Sequence, residues 1–207
     1  MSGGEGAREL ELKAVVPDAA ALAARLAQAG ARCTFRGVLR DRRYDLPGGS
    51  FLARDEVLRV RTFEPQGAGV AHAELTWKGP TRRTGGYKER EELQFGVSDA
   101  ATAGEFLGRL GFVLSDAIDR CVEYHEVAGA VVRIEWYPRM DVLAEVEGES
   151  GAIERAVAAT GIPRGEFSAD RLLDFAARYR ERTGKEPVLR LDRLGPNETP
   201  GWPEWAV

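Results

Sequence analysis

A chain of 207 residues with a formal net charge of −4 can bury the core of one ordinary domain, and it lacks the global basic field that draws nucleic acid. Cys33, Cys121, His72 and His125 are its only cysteines and histidines, too few and too scattered for a disulfide framework, a Cys/His zinc site or a histidine-centred triad. Residues 1–7 are Gly-rich and acidic with no apolar run for a signal peptide, and no later stretch approaches a membrane span, so a cytoplasmic protein with neither a membrane nor a nucleic-acid partner is expected.

The first element is Glu9-Leu10-Glu11-Leu12-Lys13. An extended strand puts its three charges on one face and both leucines on the other. A solvated surface strand carries the same letters, so this segment alone does not separate that reading from a strand with a charged interior face.

Residues 19–29 follow as a helix capped by Asp18, with Leu22, Leu26 and Ala29 on one face and Gly30 at its end. Residues 35–45 read as a strand with Val38 and Leu39 set among arginines and aspartates, ending in a turn at 47–49. In 57–63, Arg59 and Arg61 oppose Leu58 and Val60; in 72–78, Glu74, Thr76 and Lys78 oppose Leu75 and Trp77, and Gly79-Pro80 stops the strand. A basic, flexible turn over 81–86 precedes a strand over 87–95. Lys88, Arg90, Glu92 and Gln94 share one parity there and Glu89 and Glu91 the other, which suggests an exposed part of the sheet. Ser98 is the expected cap of a helix to about residue 110 with Phe106, Leu107 and Leu110 as its stripe.

The second half repeats the theme. A strand over 117–127 opens with Asp119 and Arg120, and Gly129 turns it into 131–137, where Arg133 and Glu135 oppose Val132, Ile134 and Trp136. In 142–149, Glu145, Glu147 and Glu149 oppose Ala144, Val146 and Gly148, the counterpart of the first strand. Helices follow over 153–160 and 169–183, the latter capped by Ser168 and carrying Leu172, Leu173, Phe175, Ala176 and Tyr179 on one face. Beyond Gly184 periodicity is lost. Residues 8–184 are read as one domain and 185–207 as a C-terminal extension, in which Trp202 and Trp205 either dock on the body or belong to a loose terminus.

The pattern is α+β, with about eight mostly antiparallel strands and about four helices. A half-buried sheet with its charged face in water explains the alternation without any function. Two features oppose that. The helices need an apolar surface, which the Leu/Val/Trp parity supplies on the outside of a closed sheet, and the signs are ordered, acidic strands first and last and basic ones between, where a solvated surface mixes them. An eight-stranded antiparallel β-barrel with flanking helices is therefore expected, its interior charged. Such a tunnel suits a polyphosphate with Mg2+ or Mn2+, carboxylates taking the hard cation and Arg/Lys the phosphate oxygens. Neither a Walker-type loop nor a Rossmann fingerprint is present.

The run Glu9-x-Glu11-x-Lys13, Leu58-Arg59-Val60-Arg61, Leu75-Thr76-Trp77-Lys78-Gly79-Pro80, Arg90 with Glu92, Arg120 and Glu145-Val146-Glu147-Gly148 resembles the CYTH superfamily of triphosphate tunnel metalloenzymes. That superfamily includes class IV adenylate cyclases, thiamine triphosphatases and inorganic tripolyphosphatases. The resemblance, over roughly residues 8–180, implies a tunnel that binds a triphosphate lengthwise. It assigns Glu9, Glu11, Glu145 and Glu147 to the metal and Lys13, Arg59, Arg61, Lys78, Arg90 and Arg120 to the phosphates, with Glu9, Glu11 and Lys13 as the catalytic set. Lys13 is read as an electrostatic contact, with a role as acid near the leaving group as the alternative. Val122 stands where relatives often carry a second basic residue, Leu39 where a polar one is common, and Glu135 where Asp is usual. The expected activity is hydrolysis of inorganic tripolyphosphate or a similar small triphosphate. The alternatives are class IV adenylate cyclase chemistry, with Phe35, Tyr44 and Trp77 as candidates to stack on a base, and a non-catalytic polyphosphate-binding module. Oligomeric state is left open, a homodimer included.

Overall fold

A computed structural model describes the backbone of residues 7–206 and the side chains of residues 10–206. The strands are β1 (Ala7–Val15), β2 (Arg32–Asp45), β3 (Val57–Pro65), β4 (His72–Lys78), β5 (Arg82–Thr84), β6 (Tyr87–Val97), β7 (Val113–Val127), β8 (Ala130–Trp136) and β9 (Leu143–Glu147). Eight of them close a ring in the order β1-β9-β8-β7-β2-β3-β4-β6, and β6 returns to β1 in the register Glu9↔Arg90 and Glu11↔Lys88. Every pairing is antiparallel, and closure leaves the ring without a free edge.

The ninth strand, β5, lies where the sequence suggests only a basic turn. Gly85 and Gly86, with φ of 60° and 88°, supply the two left-handed residues that a tight hairpin needs, so β5 folds back on β6. β6 closes the barrel on β1, where Glu89 and Arg90 are buried, and is exposed as expected at Glu91 and from Leu93 to Gly96.

The main apolar core lies outside the barrel wall. Leu12, Ala14, Val132, Ile134, Ala144 and Val146 point outward and pack with Leu22 and Leu26 of α1 (Ala19–Gln28) and Ile153, Ala156 and Val157 of α4 (Ser150–Thr160). Each fully buried Leu, Ile or Val contributes about 1.5–3 kcal/mol over exposure, which binds these helices to the wall. Asp18 caps α1 as expected, its Oδ1 accepting from the Ala21 amide at 2.9 Å. A short α2 (Ser50–Ala53) follows the 47–49 turn, held by the Asp45 carboxylate, which accepts from the amides of Leu46, Phe51 and Leu52.

Three local expectations change. The cap of α3 (Ala100–Arg109) is Asp99, one residue after Ser98, and only Leu107 of the expected stripe is buried; Phe106 and Leu110 stay exposed because α3 meets β3 and β4 along a narrow line. The last helix, α5 (Leu172–Thr183), begins three residues late. Ser168 is drawn away from it into a backbone bridge with Lys13, and the Asp174 carboxylate accepts from the Arg171 amide instead. α5 sits across one end of the barrel, where Phe175 meets Ile118, Tyr137 and Leu143. Chain beyond α5 packs on the outer wall. Val188 bridges Arg139, Trp205 meets Trp136 edge-on at 6.0 Å, and Gln66 donates to the Trp205 carbonyl at 3.0 Å. Among the described residues no helix is long and apolar enough to cross a membrane.

Candidate active site

The inward parity of the strands gathers two charged groups. The first is acidic and straddles the β1–β9 pair, whose register sets Glu11 opposite Glu147 and Lys13 opposite Glu145. Lys13 Nζ donates to Glu11 at 2.6 Å and also contacts Glu145, Lys88 reaches Glu11 at 2.6 Å, and the Arg133 guanidinium spans Glu145 and Glu147. Burial opposes the charge on Lys13, but Glu11, Glu145 and Glu135 outweigh it and hold the ammonium above its usual lysine value. Lys88 is pushed down, because its burial and the neighbouring Lys13 outweigh Glu11 and Glu145. Glu9 lies on the same parity of β1, opposite Arg90; its side chain is outside the described residues.

The second group is basic and is organised by one carboxylate. Asp41 on β2, 1% exposed, takes Arg61 through Nε and Nη2 at 2.6 and 2.8 Å, Arg120 at 3.0 Å and Arg59 at 3.5 Å. Its burial works against ionisation, yet Arg61, Arg120 and Arg59 keep its carboxyl far below the usual carboxylate range. Arg120 also donates to Glu135 at 2.9 Å, whose other oxygen accepts from the Tyr137 hydroxyl at 2.6 Å. With this shared support both Arg61 and Arg120 are raised above the ordinary guanidinium value against their burial.

Arg59 is the exception. It is buried, its hydrogen bonds run at 3.3 Å to Thr76 and 3.5 Å to Asp41, and its Nε has no partner. Burial, compounded by Arg61 and Arg120, brings its pKa down to about 10. An anion between these arginines relieves that cost.

Of the sequence-predicted residues, Lys13, Arg59, Arg61, Lys78 and Arg120 all reach the interior with Glu11, Glu145 and Glu147. Lys78 pairs with Glu92 at 2.8 Å. Arg90 is buried on the same inward parity, and its guanidinium donates to the carbonyls of Gly79 and Asp55 where β3 and β4 meet the end of the barrel. Asp41, Lys88 and Arg133 were not among the predicted site residues. The signal for Asp41 was its shared parity with Leu39 in an Arg-rich strand, and for Lys88 and Arg133 their shared parities with Arg90 and Glu135.

A cavity of about 610 Å3 opens from this interior toward the barrel end away from α5, lined by Arg59, Arg61, Lys78, Arg133 and Glu147 and, nearer the mouth, by Phe63, His72 and Tyr124. Leu39 and Val122 sit in the wall behind those rings with Phe35 and Phe63, an apolar cluster where the basic ladder ends. Of the aromatics considered for base stacking, Phe35 joins this cluster, while Tyr44 and Trp77 do not line the cavity.

Glu11, Glu145 and Glu147 bring hard oxygen donors together from two adjacent strands, chemistry suited to Mg2+ or Mn2+. Among the described residues no three Asp, Glu, His or Cys side chains form a ready cation cage, and these carboxylates are turned onto Lys13, Lys88 and Arg133.

The family model of the CYTH domain matches residues 7–156. A putative adenylate cyclase from Vibrio parahaemolyticus superposes with a TM-score of 0.69 at 16% identity, covering 83% of this chain and 99% of that one. The PH1819 protein of Pyrococcus horikoshii gives 0.65 at 22% identity, with 82% and 98% covered. A putative adenylyl cyclase from Hippeastrum, described as having a dominant triphosphatase activity, gives 0.58 at 17% identity, with 88% and 98% covered. No curated protein matches the sequence. At these identities the structural likenesses establish the closed antiparallel barrel as a shared fold.

Proposed function

Since the chain belongs to the CYTH domain family, we propose that it is a divalent-metal-dependent phosphohydrolase that binds a triphosphate along its tunnel and releases the terminal phosphate. What carries the reading is the buried arginine set, in which Arg59 lacks full partners, standing in one cavity with Glu147 of the carboxylate group. Arg59, Arg61 and Arg120, with Lys78 across from them, hold and neutralise the phosphate oxygens. Glu11, Glu145, Glu147 and Glu9 hold the metal, which when bound supplies Lewis-acid neutralisation of phosphate charge.

Water oxygen then bonds to the terminal phosphorus while the bridging P–O bond breaks, its electron pair leaving on the diphosphate and one proton going to solvent. The side chains contribute position and charge to this step, as phosphoryl transfer requires. Lys13, held as an ammonium between Glu11 and Glu145, keeps those carboxylates oriented and contacts the phosphate chain. A second reading, cyclisation of ATP to cyclic AMP and pyrophosphate, uses the same tunnel with a ribose hydroxyl as nucleophile, and the Vibrio and Hippeastrum neighbours are named for it.

Incubation with Mg2+ or Mn2+ and, in turn, tripolyphosphate, thiamine triphosphate and ATP tests the reading. Phosphate release supports it, cyclic AMP replaces it with the second reading, and tight binding without turnover in either metal makes the protein a polyphosphate-binding module.

A further inference from the structure

β1 changes partners along its length. From Ala7 to Glu11 it pairs with β6, and from Glu11 to Val15 with β9. Continued by one step, the β6 register would set Lys13 opposite Gly86, which already lies in the hairpin turn with φ of 88°. On that side the backbone of Lys13 has no strand of the ring beside it. Ser168 supplies the partner. The Lys13 amide donates to the Ser168 carbonyl and the Ser168 amide to the Lys13 carbonyl, both at 2.8 Å.

The chain around Ser168 is tied to both sides of this gap. Phe167 and Ala169 are buried in the outer apolar core. Arg164 donates to the Glu154 carboxylate, which also accepts from the Tyr87 hydroxyl at 2.6 Å at the start of β6. Asp170 gathers three donors, the Ser168 hydroxyl at 2.9 Å, Arg178 of α5 at 2.8 Å and Arg83 of β5 at 3.2 Å. Arg178, with Ser168 and Arg83, keeps the Asp170 carboxyl below the usual carboxylate range. A loop resting on a strand end forms such a bridge without any bearing on a site. This one falls on the residue whose ammonium stands between Glu11 and Glu145, and a site holds its geometry only if the backbone under it is held.

We propose that Asp170 is a positioning residue, which through Ser168 holds residues 167–170 as a substitute strand beside Lys13 and so fixes the Lys13 ammonium, with the carboxylates it contacts, relative to the phosphate chain. Its effect on turnover rests on the phosphohydrolase reading of the tunnel. Its effect on the backbone rests on the bridge alone.

Two substitutions test it. Asp170→Asn keeps an acceptor for the Ser168 hydroxyl and removes the charge that holds both guanidiniums, and Ser168→Pro deletes the amide that donates to Lys13. The Asp170 ion pairs stand at the surface, so Asp170→Asn melts close to the wild type and decides the matter by itself. In the metal-free protein, amide hydrogen exchange read by NMR quickens at Lys13 by roughly 5-fold in Asp170→Asn and by more in Ser168→Pro, while exchange in α4 stays at the wild-type rate. With Mg2+ and whichever of tripolyphosphate, ATP and thiamine triphosphate the wild type turns over, kcat falls by roughly 10-fold and KM stays within about 2-fold, because Arg59, Arg61 and Arg120 still hold the phosphates. Unchanged exchange at Lys13 in Asp170→Asn overturns the proposal. So does faster exchange with kcat unchanged, or a KM that rises as much as kcat falls, the mark of a barrel loosened throughout. A wild type that turns over none of the three compounds overturns the phosphohydrolase reading and the catalytic half of the proposal, and the exchange rates still decide whether Asp170 holds Lys13.

Discussion

Arg61 and Asp41 stand opposite each other on paired strands and share two parallel hydrogen bonds of 2.6 and 2.8 Å, both side chains buried. Because Arg120 and Arg59 crowd the same carboxylate and only Arg120 has a second hydrogen-bonded one in Glu135, the three guanidinium charges exceed the carboxylates bonded to them. The excess is what an anionic ligand meets, and the shared carboxylate keeps the arginines assembled before it arrives.

Asp41→Asn keeps the shape and removes the charge. Breaking a buried ion pair from one side costs about 3–5 kcal/mol, so the variant melts well below the wild type. Tripolyphosphate, added without metal, then raises its melting temperature by more than it raises the wild type's, because the ligand replaces the missing anion. Equal shifts in the two proteins would show that Asp41 does not organise the anion site.

The pH dependence of that difference has a definite sign. The folded Asp41 carboxyl lies far below its unfolded value of about 3.9. Its stabilisation is therefore present above about pH 4 and is lost as pH falls toward the folded pKa. Urea denaturation of wild type and Asp41→Asn will give a gap that is constant between pH 7 and about pH 5 and narrows below pH 4 by about 1.4 kcal/mol per pH unit. A gap that stays flat through pH 3 contradicts the ion-paired carboxylate.

Arg59→Met separates stability from binding. Arg59 is a buried cation with an orphaned Nε, so a side chain of similar reach without charge stabilises the empty protein by about 1–2 kcal/mol while triphosphate affinity drops at least 10-fold. Arg61→Met does the reverse to stability, since it strips Asp41 of its two shortest bonds. Calorimetry on the two variants reads this opposition, and loss of stability in both would remove the special standing of Arg59.

Glu11→Gln retains the backbone pairings of β1 and removes one metal-side charge. Turnover falls by at least 100-fold at saturating Mg2+ with the protein still folded, and unchanged turnover removes Glu11 from the metal set. The same substitution at Glu9 tests the carboxylate whose side chain lies outside the described residues.

Phe175→Ala opens the contact between α5 and the end of the barrel. Its ring is buried among Ile118, Tyr137 and Leu143, and truncation costs about 3–5 kcal/mol. Equilibrium unfolding measures it, and a loss under 1 kcal/mol would mean that α5 merely rests on the rim.

Much of the barrel was legible because charge and apolar side chains alternate with period two along Glu9–Lys13, Arg59–Arg61 and Glu145–Glu147, and only a closed sheet with helices outside satisfies both parities at once. Asp41 was hidden for a physical reason. It sits between Arg40 and Arg42, and its parity with Leu39 becomes an inward position only through the register with β3 and β7. The parity of β6 gives the inward position of Arg90 but not its hydrogen bonds to the carbonyls of Gly79 and Asp55, which strand ends distant in sequence bring to it. Helix starts moved for a similar reason. Ser168 has the chemistry of a cap but is taken by a bridge to Lys13, a contact between residues more than 150 positions apart.

The main apolar core lies between the barrel wall and α1 and α4, and only smaller apolar clusters close the two ends of the interior. Shape and chemistry are thereby inherited on opposite sides of the same strands: every second residue answers to the helices, and the residues between answer to whatever the tunnel contains. Selection can rewrite the inner set, exchanging a cation for Val122 or a polar group for Leu39, without asking the outer set to repack. Divergence in a protein built this way runs ahead in what it holds while its outline stands still.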